Sequence, residues 1–303
     1  MTTVGLIGLG AMGSGMAASL RRAGHNVHVF DVRREVASAF AQDGGMAHDS
    51  LASLGATCDV IVSVVVNAAQ TESVLFGDGT TPGNMTGCAA SMKPGSVFVM
   101  CSTVDPNWSV ALEARLEAMG LRYVDAPISG GAAKAASGQM TMMTAGKPEA
   151  YAVAEPFLNA MAAKVYKLGD SAGAGSKVKI INQLLAGVHI AAAAEAMALG
   201  LREGVDPAAL YEVITNSAGN SWMFENRMAH VLAADYTPLS AVDIFVKDLG
   251  IVLDMARASK FPLPLSSTAH QMFMQASTAG FAKEDDSAVI KIFPGIELPK
   301  APG

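Results

Sequence analysis

Between residues 4 and 167, short runs of apolar and β-branched residues alternate with longer segments whose apolar positions recur every three or four residues. The runs fall at 4–7, 27–30, 60–66, 96–100, 122–125, 140–144 and 165–167. Near-continuous apolar runs of this length suit strands covered on both faces, and their alternation with helical patterns predicts a parallel, doubly wound sheet. Helices are predicted at 11–22, 34–41, 106–119 and 148–161, with Gly24 and Gly120 as stops. After Gly169-Asp170-Ser171 the strand pattern ends, and the first of several helical segments spans 175–203. Asp206-Pro207, Asp243 and Pro264 mark later helix starts. The predicted organisation is an α/β domain over 1–167 followed by an all-helical domain over 168–303.

Composition narrows the functional classes. With 51% hydrophobic and 16% charged residues in 303, the chain can bury sizeable cores and is no disordered protein. The net charge of −6 comes without a basic cluster larger than Arg33-Arg34, which speaks against a nucleic-acid partner. Cys58, Cys88 and Cys101 are odd in number and form no CxxC pair, so neither a disulfide framework nor a metal site is expected. The first residues lead straight into an apolar run with no basic segment, and a cytoplasmic location is the expectation. The apolar stretch 180–201 approaches membrane-span length, but Asn182, Gln183, His189 and Glu195 interrupt it. It is expected to be a buried helix, with no membrane partner. Met140, Met142 and Met143 are expected as core filler.

Gly8-Leu9-Gly10-Ala11-Met12-Gly13 follows the first strand and opens the first helix. Three glycines at this spacing allow a tight turn, close approach of a pyrophosphate and packing of helix on sheet, while the helix N-terminus favours the phosphate charge. Taken alone, the same glycines also make an ordinary turn. Asp31, closing the second strand, stands where a carboxylate accepts hydrogen bonds from a ribose and repels a 2′-phosphate. A Rossmann-type domain binding NAD is therefore expected, although Arg33-Arg34 just downstream leaves NADP as an alternative.

Two further segments carry candidate chemistry. Ser129-Gly130-Gly131 follows a strand end, where ligands bind in open parallel sheets, and its backbone N–H groups can receive a carboxylate; a plain glycine turn is the bland alternative. In the long helix, Lys179 lies one turn after Gly175 and one turn before Asn182 and Gln183. This spacing predicts an active-site wall on which the glycine leaves room for a flat ligand, the lysine exchanges a proton and the amides orient a polar substrate. Most lysines simply face solvent, and only the neighbouring glycine and amides set this one apart.

Together these motifs resemble the beta-hydroxyacid dehydrogenase family, which includes 3-hydroxyisobutyrate dehydrogenase and tartronate semialdehyde reductase. The resemblance covers essentially the whole chain, through Gly5-Leu6-Ile7-Gly8-Leu9-Gly10-Ala11-Met12-Gly13 with Met16, Ser102-Thr103, Asp125-Ala126-Pro127-Ile128-Ser129-Gly130-Gly131, Gly173-Ala174-Gly175-Ser176-Lys177-Val178-Lys179 and Lys247-Asp248-Leu249. It implies Lys179 as catalytic acid/base, Ser129, Gly130 and Gly131 as the substrate loop, and Thr103 and Lys247 beside the nicotinamide. From the residues alone, Lys247 could equally pair with Asp243 one turn upstream. Asn182-Gln183, where hydroxyisobutyrate enzymes tend to show two asparagines, looks like the sugar-acid branch. Residues 220–227 with Asp235-Tyr236-Thr237-Pro238 look like the L-threonate dehydrogenase branch.

The implied activity is NAD-dependent oxidation of a small hydroxy acid, a four-carbon sugar acid such as L-threonate, by hydride transfer. Alternatives are 3-hydroxyisobutyrate dehydrogenase, tartronate semialdehyde reductase and, more remotely, a binding module without catalysis. A lysine's ordinary pKa of about 10.4 is too high for a base at neutral pH. Burial and an adjacent cationic nicotinamide are expected to lower it. The alanine-rich long helix permits close packing between copies, and a homodimer or homotetramer is expected.

Overall fold

The apolar runs at 4–7, 27–30, 60–63 and 97–100 become strands buried along their whole length, whereas the strand that takes in 165–167 is largely exposed. The computed structural model describes residues 2–81 and 83–300. Two compact units divide the chain, Met1–Lys179 and Ile180–Gly303.

The first unit runs β1 (Val4–Ile7), α1 (Gly13–Arg22), β2 (Val27–Phe30), α2 (Arg34–Gln42), β3 (Met46–Ala47), α3 (Leu51–Thr57), β4 (Val60–Ser63), α4 (Ala68–Phe76), β5 (Val97–Met100), α5 (Pro106–Ala118), β6 (Arg122–Asp125), β7 (Ile128–Ser129), α6 (Gly131–Ser137), β8 (Met140–Gly146), α7 (Pro148–Met161) and β9 (Ala162–Lys167). It ends in the first turns of α8 (Ala174–Arg202). The sheet order is β3-β2-β1-β4-β5-β6-β8-β7, with β9 on β8. Strands β1 to β6 are parallel, with Val4 opposite both Val27 and Val60. β8 departs from the expectation by running antiparallel to β6 and β7. An apolar run carries no directional signal; the connection before it sets direction, and mixed sheets with such a strand are common.

Successive strand residues point to opposite faces, so each strand feeds two cores. Leu6, Val62 and Val99 pack with Met16, Leu20 and Phe157 on one face. Ile7, Ile61 and Phe98 pack with Leu54, Leu112 and Leu116 on the other. Each such side chain contributes about 1.5–3 kcal/mol relative to exposure, so both helix layers are needed to hold the sheet. The short helices α3 and α4 were not anticipated; each starts at a side-chain cap, Ser50 accepting from the Ser53 N–H and Asn67 from the Gln70 N–H.

Polar groups buried in this unit are held in specific ways. His28 on β2 meets His48 through Nδ1 and Nε2 at 2.8 Å, and His48 Nδ1 meets the Ser53 hydroxyl at 2.8 Å. Burial lowers the pKa of both rings, with the neighbouring His48 adding to the effect on His28. All three cysteines are buried free thiols. Burial pushes Cys58 and Cys88 up to about 12 and raises Cys101 as well.

In the second unit α8 continues, followed by α9 (Pro207–Thr215), α10 (Trp222–Ala233), α11 (Val242–Ala258) and α12 (Pro264–Ala276). Asp206 caps α9 by accepting from the Ala209 N–H, with Pro207 in the first turn. Phe245 on α11 stacks on Phe273 of α12 at 5.1 Å. A side chain at Gly187 would come within 2.9 Å of Leu249, so this glycine lets α8 and α11 approach. The buried ionic groups here pair with one another: Arg227 grips Asp286, with Nη2 3.0 Å from Oδ2, and His230 Nδ1 lies 3.0 Å from Asp285 Oδ1. Burial pushes Asp286 up to about 6 in spite of Arg227. Burial also opposes ionisation of Asp285, but bonds with His230 and Ser287 and the nearby Arg227 hold it at about 2.

Candidate active site

Because β1, β2, β4, β5 and β6 run in one direction, their carboxyl ends share one edge of the sheet. Residues 8–13 follow β1, Asp31 follows β2, Thr103 follows β5 and Ser129 follows β6, so the candidates of the first unit all gather there. The strand order reverses between β1 and β4, which is where ligands bind in such sheets. A cavity of about 300 Å³ opens at this point, lined among others by Gly8, Gly10, Asp31, Val65, Gln70 and Asn84.

The three fingerprint glycines are needed for different reasons. Gly8 sits at φ +91°, and a Cβ there would lie 2.9 Å from the Val64 carbonyl oxygen. A Cβ on Gly13 would lie 1.8 Å from the Gly8 oxygen, closing the turn against itself. Gly10 faces open space, with no atom within 4 Å of the Cβ position. That empty approach above the cavity fits a dinucleotide backbone. Leu9 turns its side chain into the core, Met12 packs partly against that core and Ala11 is exposed. A further glycine outside the fingerprint, Gly15, lets α1 meet α6, since its Cβ would lie 2.5 Å from the Ala136 nitrogen.

Asp31 is 7% exposed at the cavity wall. Its Oδ2 accepts from the Leu9 N–H at 2.7 Å, and its Oδ1 accepts from the Arg33 N–H at 2.8 Å and from Arg33 Nε at 3.2 Å. Burial works to raise its pKa, yet the Arg33 side chain and the two backbone donors hold the carboxyl below its ordinary value. Asp31 is therefore tied to the glycine turn, while half of the Arg33 side chain stays exposed over it.

Asp125, at the end of β6, organises the start of α8. It is fully buried, and its Oδ2 accepts from the N–H groups of Gly173 and Ser176, both at 2.9 Å, while Oδ1 accepts from the Ser176 hydroxyl at 2.7 Å. This caps the helix from a residue remote in sequence. Burial raises the Asp125 pKa against those hydrogen bonds. One turn on, Lys179 is buried at 7% exposure. Gly175 plays a part other than the one its position suggested: a Cβ there would lie 2.4 Å from the Met143 carbonyl oxygen and 3.0 Å from that of Asp125. Its bare side faces strand backbone and seats the helix, leaving no room for a ligand.

The remaining residues fall into place separately. Gly130 and Gly131 adopt φ of +139° and +76°, which turns the chain sharply between β7 and α6. Ser102 donates to the Val65 carbonyl at 2.7 Å, anchoring half-buried Thr103 beyond β5. In the second unit, Asn182 Nδ2 donates to Gln183 Oε1 at 3.1 Å, and Gln183 Nε2 donates to Asp248 Oδ2 at 2.5 Å. Lys247 pairs with Asp248, its neighbour in sequence, and Asp243 accepts from the Ser277 hydroxyl at 2.6 Å.

Comparison with known proteins matches residues 3–169 to the NAD binding domain of 6-phosphogluconate dehydrogenase, and residues 173–293 to the NAD-binding domain of NADP-dependent 3-hydroxyisobutyrate dehydrogenase. An L-threonate dehydrogenase of Cupriavidus necator is 68% identical over 98% of this chain and 97% of its own. The chain belongs to the beta-hydroxyacid dehydrogenase family. Escherichia coli K12 L-threonate dehydrogenase is 51% identical over 98% of this chain and 97% of its own. A crystal structure of 3-hydroxyisobutyrate dehydrogenase from Salmonella typhimurium superposes with a TM-score of 0.91 at 51% identity, covering 97% of this chain and 100% of that one.

This hydroxyacid dehydrogenase thus uses a nicotinamide dinucleotide, and the open side of Gly10 above the cavity is the feature that fits one. Two residues escaped the sequence reading of the dehydrogenase. Asp125 acts on a helix that starts dozens of residues later, and Asp248 acts on a different helix; neither tie leaves a local spacing. Their place inside the quoted motifs was the only available signal.

Proposed function

We propose that this dehydrogenase oxidises L-threonate, a four-carbon sugar acid, with NAD as the preferred cofactor and Lys179 as general base. The L-threonate specificity is supported by relatives of that name at 51% and 68% identity over nearly the full chain. The observation that carries the lysine's role is its burial one turn beyond a helix start clamped by Asp125. A buried amine on so rigid a mount has a fixed aim, as proton transfer requires.

In this reading Gly8, Leu9, Gly10, Ala11, Met12 and Gly13 hold the pyrophosphate, Asp31 holds the adenosine ribose, and Thr103 and Lys247 flank the nicotinamide. The bound dinucleotide supplies the hydride acceptor. Lys179 Nζ takes the hydroxyl proton as the carbinol carbon gives up its hydride. Ser129, Gly130 and Gly131 receive the substrate carboxylate through their backbone N–H groups, and the amides of Asn182 and Gln183 orient its other hydroxyls. Lys179→Ala should lower turnover by about 10²–10⁴-fold while NADH still binds, as followed by fluorescence titration. Substantial remaining turnover would refute the role. Oxidation should quicken as pH rises, because an ammonium must lose its proton before it acts as a base.

A second reading, 3-hydroxyisobutyrate oxidation, is favoured by the name of the Salmonella structure. Initial rates with threonate, erythronate, glycerate and hydroxyisobutyrate, each with NAD and NADP, decide between them. Dominant activity on hydroxyisobutyrate ends the four-carbon assignment. We assign the protein to the cytoplasm, which its free thiols suit. We also assign it a homo-oligomeric state, supported by Ile181, Leu185 and Leu199, exposed at 54%, 51% and 62% along α8. Light scattering tests this, and a monomer at micromolar concentration overturns it.

A further inference from the structure

Asp248 is 1% exposed and has a bond to each of two site candidates on different helices: to Gln183 on α8 and to Lys247 on its own helix α11. We infer that Asp248 is a positioning residue that sets the Lys247 ammonium and the Gln183 amide together. This rests on the reading above, in which Lys247 serves the cofactor and Gln183 the substrate.

The argument is one of donors and acceptors. An ionised carboxylate only accepts hydrogen bonds, so the amide group it meets must turn its NH₂ end inward. Gln183 does so, with Nε2 at 2.5 Å from Asp248 Oδ2. Its carbonyl Oε1 is thereby presented on the other side, where Asn182 Nδ2 donates to it at 3.1 Å. Asn182 is then committed as well, with its own oxygen left for a partner that donates. The second oxygen of Asp248 receives Lys247 Nζ in a charge-assisted bond, which draws the lysine's charge to this carboxylate. One carboxylate thus determines the polarity of two amides and the position of a cation. The bonds are directional, so the chain from Lys247 through Asp248 and Gln183 to Asn182 has one arrangement.

An asparagine at 248 keeps the shape but can also donate, which lets the Gln183 amide turn over and removes the ion pair with Lys247. Asp248→Asn in the full-length enzyme should therefore raise both the NADH dissociation constant and the hydroxy-acid KM, each by about tenfold, the scale of one charged hydrogen bond. The thermal midpoint should stay near that of the wild type. Gln183→Leu should raise only the KM and Lys247→Met only the NADH constant. If Asp248→Asn leaves either constant within about twofold of wild type while the single variants act as stated, the positioning role fails and the proposed function stands. If neither Gln183→Leu nor Lys247→Met moves its constant, the role fails because Asp248 has nothing to act through. Retained turnover in Lys179→Ala would instead strike the proposed function itself. Should loss of the ion pair with Lys247 unfold Asp248→Asn, the double variant Lys247→Met/Asp248→Asn removes that charge. Its KM must still exceed that of Lys247→Met, and equality overturns the proposal.

Discussion

Asp31 and Asp286 are both buried carboxylates facing an arginine, and burial works to raise both, yet their pKa values move in opposite directions. Asp31 is held below its ordinary pKa, with backbone N–H groups sharing the charge and Arg33 reaching in from solvent. Asp286 is fully enclosed with Arg227 and pushed up to about 6. An ion supported by fixed amides at a cavity wall remains available to a ligand, whereas an enclosed ion pair spends its interactions on the fold. The difference separates the two units: the first holds the buried carboxylates Asp31 and Asp125 with backbone donors at strand ends. The second ties charge to charge between helices.

The largest effect expected from this contrast lies in the glycine turn. Gly13→Ala forces a methyl group against the Gly8 oxygen and should both abolish NADH binding and lower the melting temperature. Gly10→Ala should lose binding with the melting temperature unchanged, since nothing in the protein occupies that space. Equal melting temperatures for both variants would contradict the distinction. Next, Arg227→Met leaves buried Asp286 without its cationic partner and should cost about 3–5 kcal/mol in urea unfolding, the scale for breaking a buried pair.

The histidines should separate the units by the sign of a pH effect. His28 and His48 have lowered pKa values, so their neutral forms stabilise the fold fully above the unfolded value of about 6.5, and this is lost as pH falls below it. The His230 pKa is raised, mainly by its bond with Asp285. Its contribution is therefore full below about 6.5 and fades as pH rises through the shifted value. Melting curves between pH 5 and 8 should show His230→Asn costing most at the acid end. They should show His28→Asn costing most at the alkaline end, and slopes of the same sign would refute the pairing. The smallest effect belongs to Arg33→Ala, which should change stability by less than about 1 kcal/mol because the arginine is half exposed.

Much of this was readable beforehand, for physical reasons that differ by element. The strands of the first unit and the glycine turn announce themselves through continuous apolar runs and spacings that only a tight turn needs. Helix α8 was placed within a residue at each end, and the polar residues at 182, 183, 189 and 195 interrupt its apolar length without breaking the helix. The direction of β8 was not readable, since no residue within 140–146 encodes it. Gly175 misled because the absence of a side chain says only that something comes close, and here the neighbour is strand backbone. The candidate site residues are those that a motif names. The groups that hold them, Asp125 and Asp248, act across folds of the chain that a linear reading does not contain.

Cys58, Cys88 and Cys101 all lie in the first unit, sealed from solvent and with their thiols held protonated. An alkylating reagent thus has no thiolate to attack until that unit opens. The protein consequently carries its own clock for local unfolding: the rate at which its sulfurs become labelled, with and without dinucleotide, measures how firmly the nucleotide-binding half stays shut.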